Sequence, residues 1–252
     1  MIDLKGRTAL ITGGSRGIGR AAAVLLARAG ADVAIGYQSN EAAAAGVRNE
    51  IERLGRKCLP LRADISKETE VRAAVGRMAR EFGRIDILVN NAGIWTYLEI
   101  GSADSSVWKE TLAVNLDSVY YFTDAVIPHM KKQGGGRIIN VGSTAGIRGE
   151  AFHSHYAATK GAVQALTKSW AEEFAPFGIL VNCVAPGWVD TDMCTEVFSD
   201  TAYRESVLQS IPLKRIPPPE DIAGPILFLA SDLSRHITGA ILSVNGGSVL
   251  CG

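Results

Sequence analysis

Short, unbroken apolar runs alternate along the chain with longer segments whose apolar positions recur every three to four residues. The run at 8–12 (TALIT) reads as a buried strand, and 17–30 then carries helical periodicity and stops at Gly30, a residue suited to helix ends. The same alternation predicts strands over 32–37, 57–64, 85–93, 136–143, 178–187 and 239–247. Helices are expected over 40–55, 67–83, 106–132, around Tyr156 and over 220–232. Prolines qualify this pattern. Pro60 suggests a sheet edge or the periphery of the third strand, Pro128 implies a kink or early stop in the long helix, and Pro225 implies a late start or a bend. Strands alternating with helices mean right-handed crossovers and a seven-stranded, mostly parallel, doubly wound α/β sheet. Helices on both faces explain strands that are apolar throughout. The stretch 188–219, with Ile216 followed by three prolines, is expected to be irregular: a substrate loop or lid, or else a surface insertion.

The chain has 252 residues, 47% of them hydrophobic, which suits one domain over 1–252. With 26 basic and 26 acidic residues, charge offers no reason to expect a nucleic-acid or anionic-membrane partner. Cys58, Cys183, Cys194 and Cys251 are scattered, without metal-ligand or disulfide spacing, and read as free thiols. Asp3, Lys5 and Arg7 interrupt the first apolar stretch, so it is not a secretory signal, and no apolar run approaches the ~20 residues of a membrane helix. A soluble, cytoplasmic protein without a metal is expected.

The turn Gly13, Ser15, Arg16, Gly17, Ile18, Gly19 follows a strand and opens a helix. Free backbone N–H groups and the positive end of the helix dipole suit a pyrophosphate there, and glycine lets phosphate approach the backbone. At the end of the second strand, where an acid would bind a ribose 2′-hydroxyl, stands Tyr37. Without that carboxylate, with Arg16 in the turn and Ser39 and Asn40 as hydrogen-bond partners, NADP(H) is expected over NAD(H). The alternative for Arg16 is a solvated surface charge.

Tyr156 and Lys160 lie four apart on one helix face. An ammonium beside a phenol favours the phenolate and lowers its pKa, which makes a general acid/base. A tyrosine beside a surface lysine is the plainer reading of that pair alone. Ser143 closes the fifth strand, Asn90 to Gly93 the fourth, and Pro186 and Gly187 the sixth, all on the sheet edge where open α/β folds bind ligands.

Together, TGGSRGIG at 12–19, NNAG at 90–93, Asn115, Ser143, Tyr156 with Lys160, and PGWVDT at 186–191 make the chain resemble the short-chain dehydrogenase/reductase family over essentially its whole length. The resemblance implies a Rossmann-type fold and reversible hydride transfer between a nicotinamide dinucleotide and a carbonyl or secondary alcohol. It implies that Tyr156 exchanges the proton, that Ser143 orients the substrate oxygen, and that Lys160 tunes Tyr156 and binds the nicotinamide ribose. Asn115 would hold a relay water. Asp64 and Ile65 would meet the adenine, Asn91, Ala92 and Gly93 the adenosine ribose side, and Val189 and Thr191 the carboxamide. It further implies a homotetramer. The segment that reads VDGG in the family carries Asn245 here.

In texture the chain is similar to bacterial 3-oxoacyl-[acyl-carrier-protein] reductases. That makes an acyl thioester the first substrate expectation and an acyl-carrier protein a candidate partner, with Arg148 as a docking residue. Glu99 and Asp104 without a nearby base weaken it, so a small ketone, sugar, polyol or steroid stays open. A dinucleotide sensor without catalysis is disfavoured because the tetrad is complete. His153 and His155 are expected to face solvent at a helix start, the alternative being a role beside Tyr156. Trp95 and Tyr97 form either a pocket wall or a surface cap.

Overall fold

Seven strands hydrogen-bond into one parallel sheet: β1 Thr8–Ile11, β2 Asp32–Tyr37, β3 Cys58–Arg62, β4 Ile87–Asn90, β5 Gly136–Val141, β6 Ile179–Pro186 and β7 Ile241–Val244. Their order is 3-2-1-4-5-6-7. The protein is described by a computed structural model that covers residues 2–102 and 105–250; Asp104 and Cys251 lie outside the described residues. The first three strands run outward from β1, and β4 then pairs with its other side. Chain direction across the sheet therefore reverses between β1 and β4. Their C-terminal ends open the crevice in which such sheets hold ligands.

Alternate strand residues point to opposite faces, and here both faces are covered. Ala9 and Ile11 pack with Ala22 and Leu26 of α1 (Gly17–Arg28), Val47 of α2 (Glu41–Arg53) and Ile226 of a later helix. Leu10, between them in sequence, packs on the other face with Met78 of α3 (Glu68–Phe82), Phe122 and Met130. This is why β1 is apolar at every position. Burying each large side chain of this kind contributes roughly 1.5–3 kcal/mol. Pro60 sits on β3, the edge strand its missing N–H permits.

The long helix predicted over 106–132 is present but interrupted. α4 (Ser106–Leu112) passes through a π-helical turn, Ala113–Asp117, into α5 (Ser118–Gln133), which continues through Pro128 to Gly134 in the left-handed conformation. α6 (Ala145–Arg148) and α7 (Ser154–Phe174) follow β5. The stretch 188–219 is not irregular throughout. It holds a 3-10 turn, α8 (Thr195–Phe198) and α9 (Thr201–Ser210), the last capped by Asp200 Oδ1, which accepts from the backbone N–H of Ala202 and Tyr203. α10 (Glu220–Ala230) neither starts late nor avoids Pro225, which lies inside it.

Candidate active site

One cavity of about 670 Å³ runs along the C-terminal ends of the strands. Its lining includes Gly13, Ser15, Arg16, Gly17, Ile18, Tyr37, Ser39, Asn40, Asp64, Ile65, Asn91, Ala92 and Gly93 toward one end. Ser143, Tyr156, Lys160, Pro186, Gly187, Val189 and Thr191 line it as well. Two expected residues lie behind the wall. A Cβ on Gly19 would stand 2.2 Å from the Gly13 carbonyl oxygen, so this glycine lets α1 close against its own turn. Asn115 is fully buried beneath the wall.

The glycine turn is built as a cradle. Gly13 and Gly17 have φ of +64° and +52°, where side chains are strained, and a Cβ on Gly14 would meet Ile35 at 2.8 Å. α1 carries no side-chain cap, in contrast to α2, whose Asn40 Oδ1 accepts from the Ala43 N–H at 2.9 Å. The first N–H groups of α1 are thus free to meet an anion. Thr12 fastens this turn to the one after β4: its hydroxyl oxygen accepts from the backbone N–H of both Asn91 and Ala92 at 2.9 Å. Asn91 Nδ2 donates back to the Thr12 carbonyl at 2.9 Å, so its side chain braces the cavity wall. These features fit a dinucleotide pyrophosphate.

Around Tyr37, no carboxylate of the β2 end lines the cavity. Asp64, from the end of β3, does, but its oxygens are engaged by the Ser66 hydroxyl at 2.6 Å and by Lys67 Nζ at 3.2 Å. The Ser66 hydrogen bond, ahead of the Lys67 charge, holds its carboxyl below the usual range. Arg16 is two-thirds exposed and stands 3.8 Å from Asp192, a weak surface pair.

At the other end α7 presents Tyr156 and Lys160. Burial pushes the Tyr156 phenol up to about 12, and its hydrogen bond with Ser143 pulls the other way. Desolvation of the phenolate outweighs that hydrogen bond here. Lys160 is itself lowered to about 8 by burial. Its Nζ donates to the Val141 carbonyl at 2.8 Å and lies 5.7 Å from the centre of the Tyr156 ring. Ser143 Oγ accepts from the Ala145 N–H at 3.1 Å, and Gln164 Nε2 holds the Ser143 carbonyl at 2.9 Å. The Asn115 carboxamide is spent on Ile94, accepting from its N–H and donating to its carbonyl, each at 2.8 Å. The side chain thus fixes the segment after β4. The π-helical turn that seats it is of a kind common at functional sites.

His155 does not face solvent. It is fully buried, with Nε2 at 3.0 Å from the Thr96 hydroxyl, and burial lowers its pKa. His153 stacks on Trp95 at 4.2 Å. Trp95 lines the cavity, whereas Tyr97 is 61% exposed and lies outside it. Residues given no site role from the sequence also line it, among them Glu110, Glu150, Trp188, Met193 and Cys194. Among the described residues no cluster of three or more His, Cys, Asp or Glu could hold a metal, and no helix is long and apolar enough to cross a membrane.

Residues 13–248 match the family model described as enoyl-(acyl carrier protein) reductase. The chain is 41% identical to the 3-oxoacyl-[acyl-carrier-protein] reductase FabG of Thermotoga maritima, over 98% of this chain and 99% of that one. It is 38% identical to an L-rhamnose 1-dehydrogenase (NAD(P)(+)) of a Sphingomonas species, over 97% and 96%. A crystal structure from Sinorhizobium meliloti 1021, described as a short-chain alcohol dehydrogenase, superposes with a TM-score of 0.94 at 34% identity, covering 98% of this chain and 97% of that one. With the sheet order, the glycine cradle and the Ser143, Tyr156 and Lys160 cluster already in place, these likenesses assign the chain to the short-chain dehydrogenase/reductase family.

Proposed function

We propose that the protein is an NADP(H)-dependent oxidoreductase that interconverts a carbonyl and a secondary alcohol, with Tyr156 exchanging the proton. The observation that carries this reading is the convergence of Ser143, Tyr156 and Lys160 on the cavity whose far end is the uncapped, glycine-lined start of α1. A bound nicotinamide dinucleotide supplies or accepts the hydride, and its oxidised ring adds a positive charge that favours the phenolate. The chain's own residues do the rest. The Tyr156 phenol holds the proton destined for the substrate oxygen, and the Ser143 hydroxyl, oriented by the Ala145 N–H, hydrogen-bonds that oxygen. Lys160 contributes an ammonium held at the Val141 carbonyl. NADP(H) is favoured because the β2 end brings no carboxylate to the cavity while Arg16 lines it. Gly13 to Gly19 would hold the pyrophosphate, and Asp64 and Ile65 the adenine side.

Two substrate readings stand. A 3-oxoacyl thioester, carried by an acyl-carrier protein, is favoured by the FabG relative. A sugar or other small alcohol or ketone is favoured by the rhamnose dehydrogenase relative and by the acidic Glu150 in the cavity wall, which would meet an anionic carrier arm unfavourably. Exposed Trp108 and Tyr120 on α4 and α5, with Leu242 and Leu250 near the C-terminus, offer apolar surface for the homotetramer that the family resemblance implies.

The test is Tyr156→Phe. Turnover with NADPH and a carbonyl substrate, followed by nicotinamide absorbance, should fall by about 10³-fold while NADPH binding persists. Turnover that survives the substitution would remove Tyr156 from the proton-donor role.

A further inference from the structure

Rings from several sequence segments meet over the Tyr156 end of the cavity. Trp95, after β4, and Trp188, after β6, meet edge to face with centroids 5.7 Å apart and planes at 81°. Both line the cavity. His153, just before α7, lies flat on Trp95 with planes 1° apart. Phe198 of α8 and Tyr203 of α9 close on Trp188 at 5.4 and 6.1 Å. The result is one continuous aromatic wall.

The wall is anchored from behind. Thr96, next to Trp95, bonds buried His155, and the Phe152 carbonyl accepts from the Leu98 N–H at 2.9 Å. Phe152 holds φ of +61°, a strained left-handed conformation for a bulky residue and one that clusters at ligand-binding places. Polar groups beside the wall include Glu150 and Arg148, both lining the cavity, and Arg204, whose guanidinium lies 5.9 Å from the centre of the Phe198 ring. Glu150 lies close enough to raise the pKa of both Tyr156 and Tyr203, and Arg148 acts on Tyr203 in the opposite direction.

Chemistry follows from that lining. A rigid corner of two indoles offers π faces and edges to the C–H bonds of a ring, and a carboxylate and a guanidinium accept from and donate to hydroxyls. A flexible acyl chain has no use for the hydroxyl partners, and for the phosphodiester of a carrier arm Glu150 would oppose the attraction of Arg148. We propose that Trp95, Trp188 and Glu150 select an uncharged, hydroxyl-bearing ring, a sugar or cyclic polyol, as the substrate class. This rests on the oxidoreductase reading above.

The experiment sets a panel of hexoses, 6-deoxyhexoses and inositols against the N-acetylcysteamine thioester of 3-oxobutanoate, each with NADP+ or NADPH as its direction requires. Binding is read separately by tryptophan fluorescence. A panel member should be turned over and should perturb the fluorescence. Trp95→Ala should raise its KM about tenfold, the loss of an aromatic contact, and Trp95→Phe should restore most of it. Glu150→Gln should narrow the preference for the neutral sugar over its phosphate ester by about fivefold. Turnover of the thioester with no ring compound used or bound would overturn the inference and leave the oxidoreductase reading standing. So would a KM indifferent to Trp95→Ala. Failure of NADPH itself to bind would remove the underlying reading, and this inference with it.

Discussion

The two ends of the cavity are made of different material. The dinucleotide end is mostly backbone: the positive-φ glycines 13 and 17, an uncapped helix start, and the Thr12 clasp that joins two turns. The Tyr156 end is mostly side chains, delivered by the segments after β4, β5 and β6 and packed ring on ring. A backbone site fixes a ligand that is the same for a whole family. A side-chain site on separate loops can change its substrate without disturbing the sheet.

The largest expected effect breaks the backbone end. Gly19→Ala sets a methyl 2.2 Å from the Gly13 oxygen and 2.6 Å from Asn91 Nδ2, so the turn must open. NADPH affinity, read by fluorescence titration, should fall about 100-fold, in the range expected when a preorganised binding geometry is lost. The thermal transition should fall only modestly, since α1 keeps its contacts with the core. Unchanged affinity would mean that the cradle is not the pyrophosphate site.

The next test probes the side-chain end, where a buried ammonium stands. Lys160 is lowered from its ordinary 10.5 to about 8 by burial. Between those values the unfolded chain holds a proton that the folded chain has released, so stability rises with pH. The penalty of burying the charge is present in full below pH 8 and is relieved above it. From pH 8 to 9.5 the Lys160 contribution alone should gain about 2 kcal/mol; the thiols of Cys58, Cys183 and Cys194, raised by burial, act in the opposite direction but equally in parent and variant. Tyr156 opposes this only above about pH 10, where the unfolded phenol ionises and the folded one, raised to about 12, does not. Urea midpoints of the parent and of Lys160→Met at the two pH values should diverge by that amount. Parallel pH profiles would show that Lys160 does not titrate as a buried ammonium.

The same contrast explains what was legible in the sequence. Strands buried on both faces and a glycine turn between strand and helix are local patterns, and they mark the sheet and the cradle directly. The Tyr156–Lys160 pair follows from helix spacing, and Ser143 from its place at the end of β5. Trp188, Phe198 and Tyr203 reach Trp95 and His153 only through tertiary folding, and no spacing along the chain announces it. The inward turn of His155 did leave a trace: it continues the four-residue stripe Thr159, Val163, Thr167, all buried, back by one turn. The three prolines at 217–219 obscure the helices inside 188–219, although Asp200 stands as an N-cap ahead of α9. The π-helical turn at Asn115 has no local signature in the sequence; the Asn115 carboxamide it carries bonds Ile94, 21 residues earlier.

The smallest expected effect lies at the charged side chain of the backbone end. Among the described residues the Arg16 guanidinium pairs with Asp192 at 3.8 Å, with both side chains about two-thirds exposed, so little is lost when it turns toward a ligand. Its guanidinium can pair with a 2′-phosphate but has no such partner in NADH. Arg16→Ala should therefore raise the KM for NADPH about fivefold, the worth of one solvent-screened charge pair, and leave that for NADH within twofold. Equal losses with both dinucleotides would place Arg16 at the shared pyrophosphate. No loss with either would return it to the solvated surface and leave the NADP(H) preference to Ser39, Asn40 and the missing acid at Tyr37.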